Sequence, residues 1–579
     1  MVFQNASQTI HAPHSPDAQG GSAQRTYTRH RPEESLLYNV IRQELETFLA
    51  RAQAREQPVP RFVEQEFHAF LRCGILAHGF LRLRCDDCGF DRLVAFSCKR
   101  RGFCPSCGGH RMADSAAHLI DRVLPEVPIR QWVLTLPYPL RYRCAYDARL
   151  TSEVLRAFVR SLFAELRRRA RQHWEIRAPQ CGAVTFIQRF GSALNLNLHF
   201  HTLALDGVYT DDGGPSTAPR FLPLPPPDGD AVARVLAGTA RRLQRIVAKR
   251  AAEDEDALAR DEPLLAVLAA ASLRARSASG PNAGERWRRL GDRVEPATWN
   301  DDLKALRRIP QHGGLSLHAA VAVPARDRRR LERLCRYVAR PPLANERLEE
   351  HPDGKLALRL KTRWRDGTSH ILMERSELID RLVPLIPPPR AHQLRYHGIL
   401  APCASRRDRV VPAGVTAFAI AERGPVKAPL TSIESSASAA SQGTRTTLGG
   451  ASIGIENADA PTERHPTAPV AAAPEANPHG LPPDRATRHR YRWAELLQRV
   501  FEIDALRCPR CDSTLRLIAA IEDPAVARKI LECLKLPARS PPVGPASRAA
   551  IPPEPVAPDR DADWDFDQSR PVHEDSDPS

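Results

Sequence analysis

The chain has 579 residues, and its 84 Lys and Arg against 68 Asp and Glu give a formal net charge of +16. This length allows several domains, and the basic balance favours an anionic partner, nucleic acid ahead of an acidic membrane. No secretory signal is visible, and the longest apolar run is about half the length that a membrane span needs. We therefore expect a cytoplasmic, nucleoid-associated protein without a membrane partner, whose 13 cysteines are thiols or metal ligands and not disulfides.

Composition and hydrophobic periodicity divide the chain into six segments. The first is polar and lacks periodicity, the fourth is rich in Ala, Ser and Pro, and the last is Pro-rich and then acidic. None of these three can bury enough apolar surface to fold. The predicted segments are a disordered leader (1–33), a zinc-binding domain (34–124), a strand-bearing domain (125–423) with a helical insertion at about 229–275, a disordered linker (424–486), a small CxxC module (487–538) and a disordered tail (539–579).

Two CxxC motifs lie close together in the second segment, separated by fifteen residues. Each places two thiolates in one tight turn, and two such pairs at this spacing can close a tetrahedral sulfur site around a structural zinc ion. A redox role is disfavoured because no thioredoxin-like βαβ pattern surrounds them. The predicted ligands are Cys85, Cys88, Cys104 and Cys107, with Cys98 and His110 as a substitute ligand or as part of a second site.

Neighbouring basic residues and the remaining cysteines have more than one interpretation. Lys99, Arg100 and Arg101 adjoin the CxxC motifs and suit phosphate contacts, but solvated charges would give the same pattern. A third motif, Cys508 to Cys511, is either half of a zinc site completed by distant residues or the remnant of one. The other cysteines are expected to be small buried side chains: Cys73, Cys144, Cys181, Cys335, Cys403 and Cys533.

The stretch "LNLNLHFHTLALDG", residues 194–207, predicts a strand with one apolar and one polar face. His199 and His201 point to one side, together with Asn195 and Asn197, while Phe200 points to the core. Two imidazoles at this spacing can bind one divalent ion, although an HxH on a strand is also a common accident. Gln188 on the preceding strand is a candidate third ligand, but a tight turn at residues 191–192 would pair it with Asn195, roughly 13 Å from His199. The third ligand stays open.

Tyr337 lies in "RDRRRLERLCRYVARPP", where the apolar residues recur at helical spacing. Arg330, Arg333 and Arg340 share the opposite face with this tyrosine, which suits contact with a nucleic-acid backbone. An ordinary boundary tyrosine before the two helix-stopping prolines is the alternative. Tyr396, flanked by histidines, is the main competing candidate for a nucleophile, and Tyr209 is interpreted as a turn residue.

Taken together, "CDDCG", "SCKRRGFCPSCGGHR", "QWVLTLPYPLRY", "IQRFGSALNLNLHFHTLALDGVY", "RYVARPPLANERL" and "PPPRAHQLRYHGILAP" resemble the insertion sequence 91 family of rolling-circle transposases, which belong to the HUH class. The resemblance covers most of residues 60–410 and extends to the CxxC near residue 508. It implies an N-terminal zinc-binding domain followed by an α+β catalytic domain, an antiparallel-sheet HUH α/β sandwich. His199 and His201 would bind a catalytic Mg²⁺ or Mn²⁺, and Tyr337 would nick single-stranded DNA and remain attached to the 5′ phosphate.

Some members of that family have two tyrosines four residues apart, and here the earlier position is Arg333. The chain therefore resembles a single-tyrosine variant, in which a second subunit of a homodimer or a second reaction round would supply the missing nucleophile. Arg330, Arg333 and Arg340 are expected to follow the DNA backbone. The alternatives are a replication initiator or relaxase with the same chemistry, a non-catalytic zinc-module DNA-binding regulator, and an inactivated copy.

Overall fold

The structure is a computed structural model that describes residues 27–210, 219–250, 256–291, 311–312, 314–364, 366–412, 493–501 and 503–547. The predicted linker and most of the predicted leader and tail lie outside the described residues. Those that are described belong to one unit, formed by Met1–Val415 together with Arg490–Ser579. Within them, no helix has both the length and the apolar character that crossing a membrane requires.

Twelve α-helices are present in the described residues, several of them begun by side-chain caps. Asp147 accepts a hydrogen bond from the backbone N–H of Leu150 and starts the longest helix, and Asp327 does the same for Arg330. The helices are α1 (Leu36–Ala54), α2 (Arg61–Arg72), α3 (Pro105–Arg122), α4 (Tyr138–Tyr146), α5 (Ala148–Trp174), α6 (Gly229–Arg250), α7 (Ala257–Asp261), α8 (Pro263–Leu273), α9 (Arg328–Ala339), α10 (Arg375–Leu382), α11 (Trp493–Phe501) and α12 (Pro524–Cys533).

The described strands all pair in antiparallel fashion. They are β1 (Phe80–Cys85), β2 (Asp91–Ala95), β3 (Ile129–Thr135), β4 (Gly182–Phe190), β5 (Leu196–Leu205), β6 (Gly207–Tyr209), β7 (Phe221–Pro223), β8 (Arg288–Gly291), β9 (Gln311–His312), β10 (Leu315–His318), β11 (Ala322–Val323), β12 (Leu348–Glu350), β13 (Leu356–Arg359), β14 (Thr368–Met373), β15 (Leu394–Gly398) and β16 (Leu515–Ile521). The α+β class expected from the sequence is confirmed: the sheets are antiparallel and helices cover them.

The largest sheet has the order β15-β4-β5-β3-β10-β9, with β11 also paired to β3. Strand β5 lies inside this sheet, and every one of its residues is buried because helices cover both faces. Phe200 and Leu198 pack with residues of α4, α5 and α8 in one core. The opposite face of the sheet, which carries His199 and His201, packs against α3 and α9 through a second core. The zinc-binding region therefore contributes α3 to the cover of the histidine face.

The C-terminal CxxC segment joins the N-terminal region and is not the separate module that the sequence predicts. Strand β16 pairs with β1 along six residues in the sheet β16-β1-β2, and α12 packs on it through Ala527 and Leu531. The edge of β1 needs a hydrogen-bonding partner, and a strand more than four hundred residues away along the chain supplies it.

The first residues of the predicted disordered tail are also placed against the N-terminal region. The backbone N–H of Gly544 donates to the carbonyl of Arg42, and the side chain of Arg42 donates to the carbonyl of Pro542. The backbone N–H of Ser547 donates to the hydroxyl of Thr47 at 2.9 Å. The prediction of disorder from residue 539 is therefore wrong for residues 539–547, because α1 provides backbone and side-chain partners for this extended stretch. Residues 548–579 lie outside the described residues.

Candidate functional site

Eight of the thirteen cysteines form two groups of four, and the single four-cysteine zinc site predicted from the sequence is wrong. We call the first group the inner cluster: Cys73, Cys98, Cys104 and Cys107. We call the second the split cluster: Cys85, Cys88, Cys508 and Cys511. In each group the four sulfur atoms lie within 4.8 Å of one another. The two cysteines of each predicted CxxC stay together in one group. Cys104 and Cys107 belong to the inner cluster, and Cys85 and Cys88 belong to the split cluster.

The inner cluster lies where α2 ends and α3 begins. Cys73 is the C-cap of α2 and Cys104 the N-cap of α3, so both helix ends point to one place. The sulfur of Cys107 lies 3.3 Å from that of Cys98 and 3.7 Å from that of Cys73. Four thiolates at zinc–sulfur distances of about 2.3 Å would be separated by about 3.8 Å, so the arrangement fits a structural zinc ion.

Several sequence interpretations around this cluster change. Cys73 is a member of the cluster and not merely a small buried side chain, and Cys98 is the substitute ligand that the sequence left open. His110 is exposed on α3 and belongs to neither cluster. Of the other cysteines predicted to be buried, Cys403 and Cys533 are exposed.

The basic residues beside the inner cluster are only in part available for phosphate contacts. Arg101 is exposed but donates to the carbonyl of Ala391 at 2.6 Å. The carbonyl of Arg100 accepts a hydrogen bond from Arg111. Lys99 is exposed and has a positive φ of 53°.

The histidine face is a buried site and not a wet surface. His199 is 9% exposed and His201 2% exposed, and their Nε2 atoms are 3.0 Å apart. Burial lowers the pKa of His199 to about 4, and burial together with the nearby His199 lowers the pKa of His201 well below its usual range. Both rings are therefore neutral at physiological pH, which is the state in which imidazole binds metal.

Each imidazole is oriented by a hydrogen bond at its other nitrogen. His199 Nδ1 donates to the backbone carbonyl of Asn197 at 2.8 Å, which leaves the Nε2 lone pair free to face the site. His201 Nδ1 lies 2.7 Å from the side-chain amide of Gln131 on β3. The sequence signal for Gln131 is a polar residue within the strand "RQWVLT", but Arg130 and Thr135 share that signal.

Gln188 lies directly opposite His199, so the sequence-based distance argument against it is wrong. The loop between β4 and β5 spans residues 191–195, with Phe190 paired to Leu196 and Gln188 paired to His199. The assumed two-residue turn is replaced by a longer loop that contains Leu194 at a φ of 58°. The amide nitrogen of Gln188 donates to the carbonyl of Val338 at 2.7 Å, while its amide oxygen is buried and accepts no hydrogen bond from the described residues.

Two further amide oxygens near the histidine pair in the sequence are buried without a hydrogen-bond donor among the described residues. The side-chain oxygens of Asn195 and Asn197 are buried and accept no hydrogen bond from the part of the chain that the structure describes. A buried acceptor without a partner costs about 1–3 kcal/mol. The paired Nε2 atoms and the unpartnered amide oxygen of Gln188 belong to the same face of the sheet, and nitrogen and oxygen are donor types that a divalent ion uses. The residues present therefore fit a metal ion.

Tyr337 lies beside the histidine pair. Its ring is perpendicular to that of His201 with the centroids 6.0 Å apart, and the residue is half-buried. The guanidinium of Arg340 lies 4.4 Å from the centre of the Tyr337 ring, and the ammonium of Lys361 lies 4.0 Å from it. Arg330 and Arg333 are exposed on the same helix.

Lys361 and Arg347 are residues that the sequence reasoning missed. Partial desolvation of the Lys361 ammonium, with the positive charges of Arg340 and Arg347, lowers its pKa to about 7, although the residue keeps an exposed surface. Burial, with the same kind of repulsion, lowers the pKa of Arg347 to about 10. No local sequence pattern marks either residue, because Arg347 ends a short turn before β12 and Lys361 follows β13, outside the helix that carries Tyr337.

The competing tyrosines lie farther from the histidine pair. Tyr396 on β15 pairs with Val184 and packs with the second core, two strands away from β5. Tyr209 is a buried residue of β6 and not a turn residue, and burial raises its pKa to about 12.

Comparison with known families gives two matches. Residues 40–136 match a family described as "Transposase zinc-binding domain", and residues 182–409 match a family described as "Putative transposase". The first range contains the whole inner cluster, and the second contains the histidine pair and Tyr337. No curated protein and no solved structure matches the chain.

The metal-binding cysteines and the matched regions define a DNA-binding transposase with a structural zinc site. The protein belongs to the insertion sequence 91 family of transposases.

Zinc content tests the membership of the inner cluster. We expect Cys73→Ser to lower the zinc content by one ion per chain, because a serine hydroxyl is a poor substitute for a thiolate ligand. Elemental analysis of the purified full chain measures this. Cys144→Ser is the matched control, since Cys144 is equally buried but belongs to neither cluster, and should keep all zinc. Unchanged zinc in Cys73→Ser would exclude Cys73 as a ligand.

Proposed function

We propose that the protein nicks and rejoins single-stranded DNA through a 5′-phosphotyrosine at Tyr337 and mobilises its element by rolling-circle transposition. The observation that carries this proposal is the placement of Tyr337 against His201, whose Nε2 converges with that of His199. A non-catalytic regulator would need neither the buried imidazole pair nor a tyrosine beside it. The transposase family matches favour an element-encoded enzyme over a replication initiator or relaxase.

Mg²⁺ or Mn²⁺ bound by His199, His201 and Gln188 would supply charge withdrawal from the scissile phosphate. The hydroxyl oxygen of Tyr337 forms a bond to phosphorus, and the bond from phosphorus to the 3′ oxygen breaks. The tyrosine loses a proton and the 3′ oxygen gains one, so the products are a 5′-phosphotyrosine and a 3′ hydroxyl. Rejoining is the reverse step with a new 3′ hydroxyl.

Positive charge around Tyr337 would hold the DNA backbone. Arg340 and Lys361 lie over the Tyr337 ring, where a phosphate approaching the hydroxyl would meet both cations. Arg330 and Arg333 continue the positive surface along α9. Since the family's two-tyrosine members have their second tyrosine at the position of Arg333, a homodimer or a second reaction round would provide a second nucleophile here.

Tyr337→Phe should abolish the covalent adduct between the protein and a single-stranded oligonucleotide that carries an element end. The ring and its contacts remain, but the nucleophilic oxygen is lost, so binding should persist. A 3′ label on the oligonucleotide follows the adduct on a denaturing gel, and peptide mapping identifies the linked residue. Tyr396→Phe is the control and should retain the adduct. An undiminished adduct in Tyr337→Phe would reject this nucleophile.

Metal binding tests the proposed ligand set. His199→Ala combined with His201→Ala should abolish both Mn²⁺ binding and cleavage, whereas the exposed His173→Ala should change neither. Gln188→Ala should weaken Mn²⁺ binding by about 10- to 100-fold, and Gln188→Glu should retain it because a carboxylate oxygen replaces the amide oxygen. Paramagnetic resonance titration of Mn²⁺ measures affinity without DNA. Cleavage that survives in the double histidine variant and in EDTA would contradict the metal role.

DNA binding should weaken as the pH rises through about 7. The pKa of Lys361 is lowered to about 7, so its positive charge is present below that pH and is lost above it. Fluorescence anisotropy with a labelled single strand at constant ionic strength measures the affinity from pH 6 to 8. Lys361→Met should bind weakly and without this pH dependence, and Lys361→Arg should bind tightly across the range. The same pH dependence in Lys361→Met would assign it to another group.

A further inference from the structure

The split cluster consists of two cysteine pairs that lie more than four hundred residues apart in the chain. Cys85 ends β1 and Cys88 belongs to the turn that follows, while Cys508 and Cys511 belong to the turn that precedes β16. Across the two turns, the sulfur of Cys85 lies 3.4 Å from that of Cys511, and the sulfur of Cys88 lies 3.5 Å from that of Cys508. Each turn meets the other with both of its thiols.

These distances are close to the spacing of about 3.8 Å between thiolates around a tetrahedral zinc ion. The backbone N–H of Arg510 points at the sulfur of Cys508 at 3.5 Å, a donor that stabilises a thiolate. The backbone N–H of Cys98 makes the same contact with Cys73 in the inner cluster, at 3.3 Å. Both clusters therefore contain four converging thiols and a backbone N–H that donates to one of the sulfurs. A disulfide pairing would join two sulfurs, whereas here four converge.

We propose that the split cluster binds a second structural zinc ion, which fastens the C-terminal segment (residues 493–547) to the N-terminal region. Neither family match reaches Cys508 and Cys511, since the matched ranges end at residues 136 and 409. The zinc-binding region of this chain is thus completed by residues that follow the whole strand-bearing region.

Contacts on both sides of the split cluster show what the metal would hold. Arg516 on β16 pairs with Asp86 at 3.0 Å, and buried Arg92 on β2 donates to the carbonyl of Ala505 at 2.6 Å. The exposed ion pair contributes little by itself. Four metal–sulfur bonds would instead fix the register of β16 on β1 at the end where the two cysteine turns meet.

The fastened segment also reaches the helix that carries Tyr337. Leu496 on α11 packs against Ala113 and Ala117 of α3. Arg499 on α11 lies 2.9 Å from Asp121 of α3 and 3.7 Å from Glu332 of α9. The C-terminal segment therefore braces α9 against α3, and loss of the second zinc would loosen this brace.

Zinc stoichiometry of the full chain, without DNA, tests the proposal. We expect two zinc ions per chain by native mass spectrometry and elemental analysis, and one in the Cys508→Ser, Cys511→Ser variant. Cys533→Ser is the matched control, an exposed cysteine of the same segment that belongs to neither cluster, and should keep two. One zinc in the unmodified chain, or two in the double variant, would overturn the proposal.

Hydrogen exchange provides a second measurement that does not depend on the folding of a variant. Two cysteines of the split cluster, Cys88 and Cys511, are exposed, so chelation of the unmodified chain to one zinc should empty this cluster first and speed exchange in peptides that cover residues 515–521. Exchange there that is unchanged while cobalt(II) substitution shows only one tetrathiolate site would contradict the proposal. The second zinc ion is independent of the proposed function, and only an effect of the C-terminal segment on nicking would rest on it. A chain with two zinc ions and no adduct would reject Tyr337 chemistry and leave the second zinc intact.

Discussion

The pairing of β4 with β5 is the constraint on which the candidate site depends. A shift of one residue would turn every side chain of a strand to the other face, and here the register places Gln188 opposite His199 and Phe186 opposite His201. That pairing puts the side chain of Gln188 on the same face of the sheet as the two imidazoles. The same alternation sends Phe200 and Leu198 into the apolar core on the opposite face, so that the register which fills the core also assembles the polar site.

Burial gives this polar site its chemical character. Helices α3 and α9 cover the histidine face, which removes water from the imidazoles and keeps both rings neutral. Because the amide nitrogen of Gln131 donates to His201 Nδ1, the proton of neutral His201 lies on Nε2 and is donated to His199 Nε2, at the place that a cation would take. The same cover leaves the amide oxygens of Gln188, Asn195 and Asn197 without donors among the described residues. Each would be costly in a merely structural core, and this cost supports the proposed ion at the polar face.

Hydrophobic periodicity and CxxC motifs predicted the orientation of neighbouring side chains correctly. They did not predict contacts between residues that are distant in the chain. The period of two in "HFH" correctly placed both histidines on one face. The apolar stripe of α9 predicted a core side of Leu331, Leu334, Cys335 and Val338, and all but the partly buried Leu334 are buried in the core. The register of Gln188 could not be predicted, because it depends on a five-residue loop in which Leu194 adopts a left-handed conformation. Each CxxC could be recognised as a pair of ligands, but its partner pair could not. The partners are brought together by pairing of β1 with β16, which no short-range pattern encodes.

The charges around Tyr337 favour an anion at the proposed site, in addition to the proposed metal ion. Burial is the largest cause that lowers the pKa values of Arg347 and Lys361, and the nearby charge of Arg340 lowers both further, so these positive charges repel in the absence of a counter-charge. The ring of Tyr337 offers its negative face to two of these cations but carries no net charge. A DNA phosphate placed between them would relieve the repulsion and bring phosphorus toward the tyrosine. Substrate binding and positioning of the nucleophile would then use the same electrostatic energy, with the metal needed for the remaining phosphate charge.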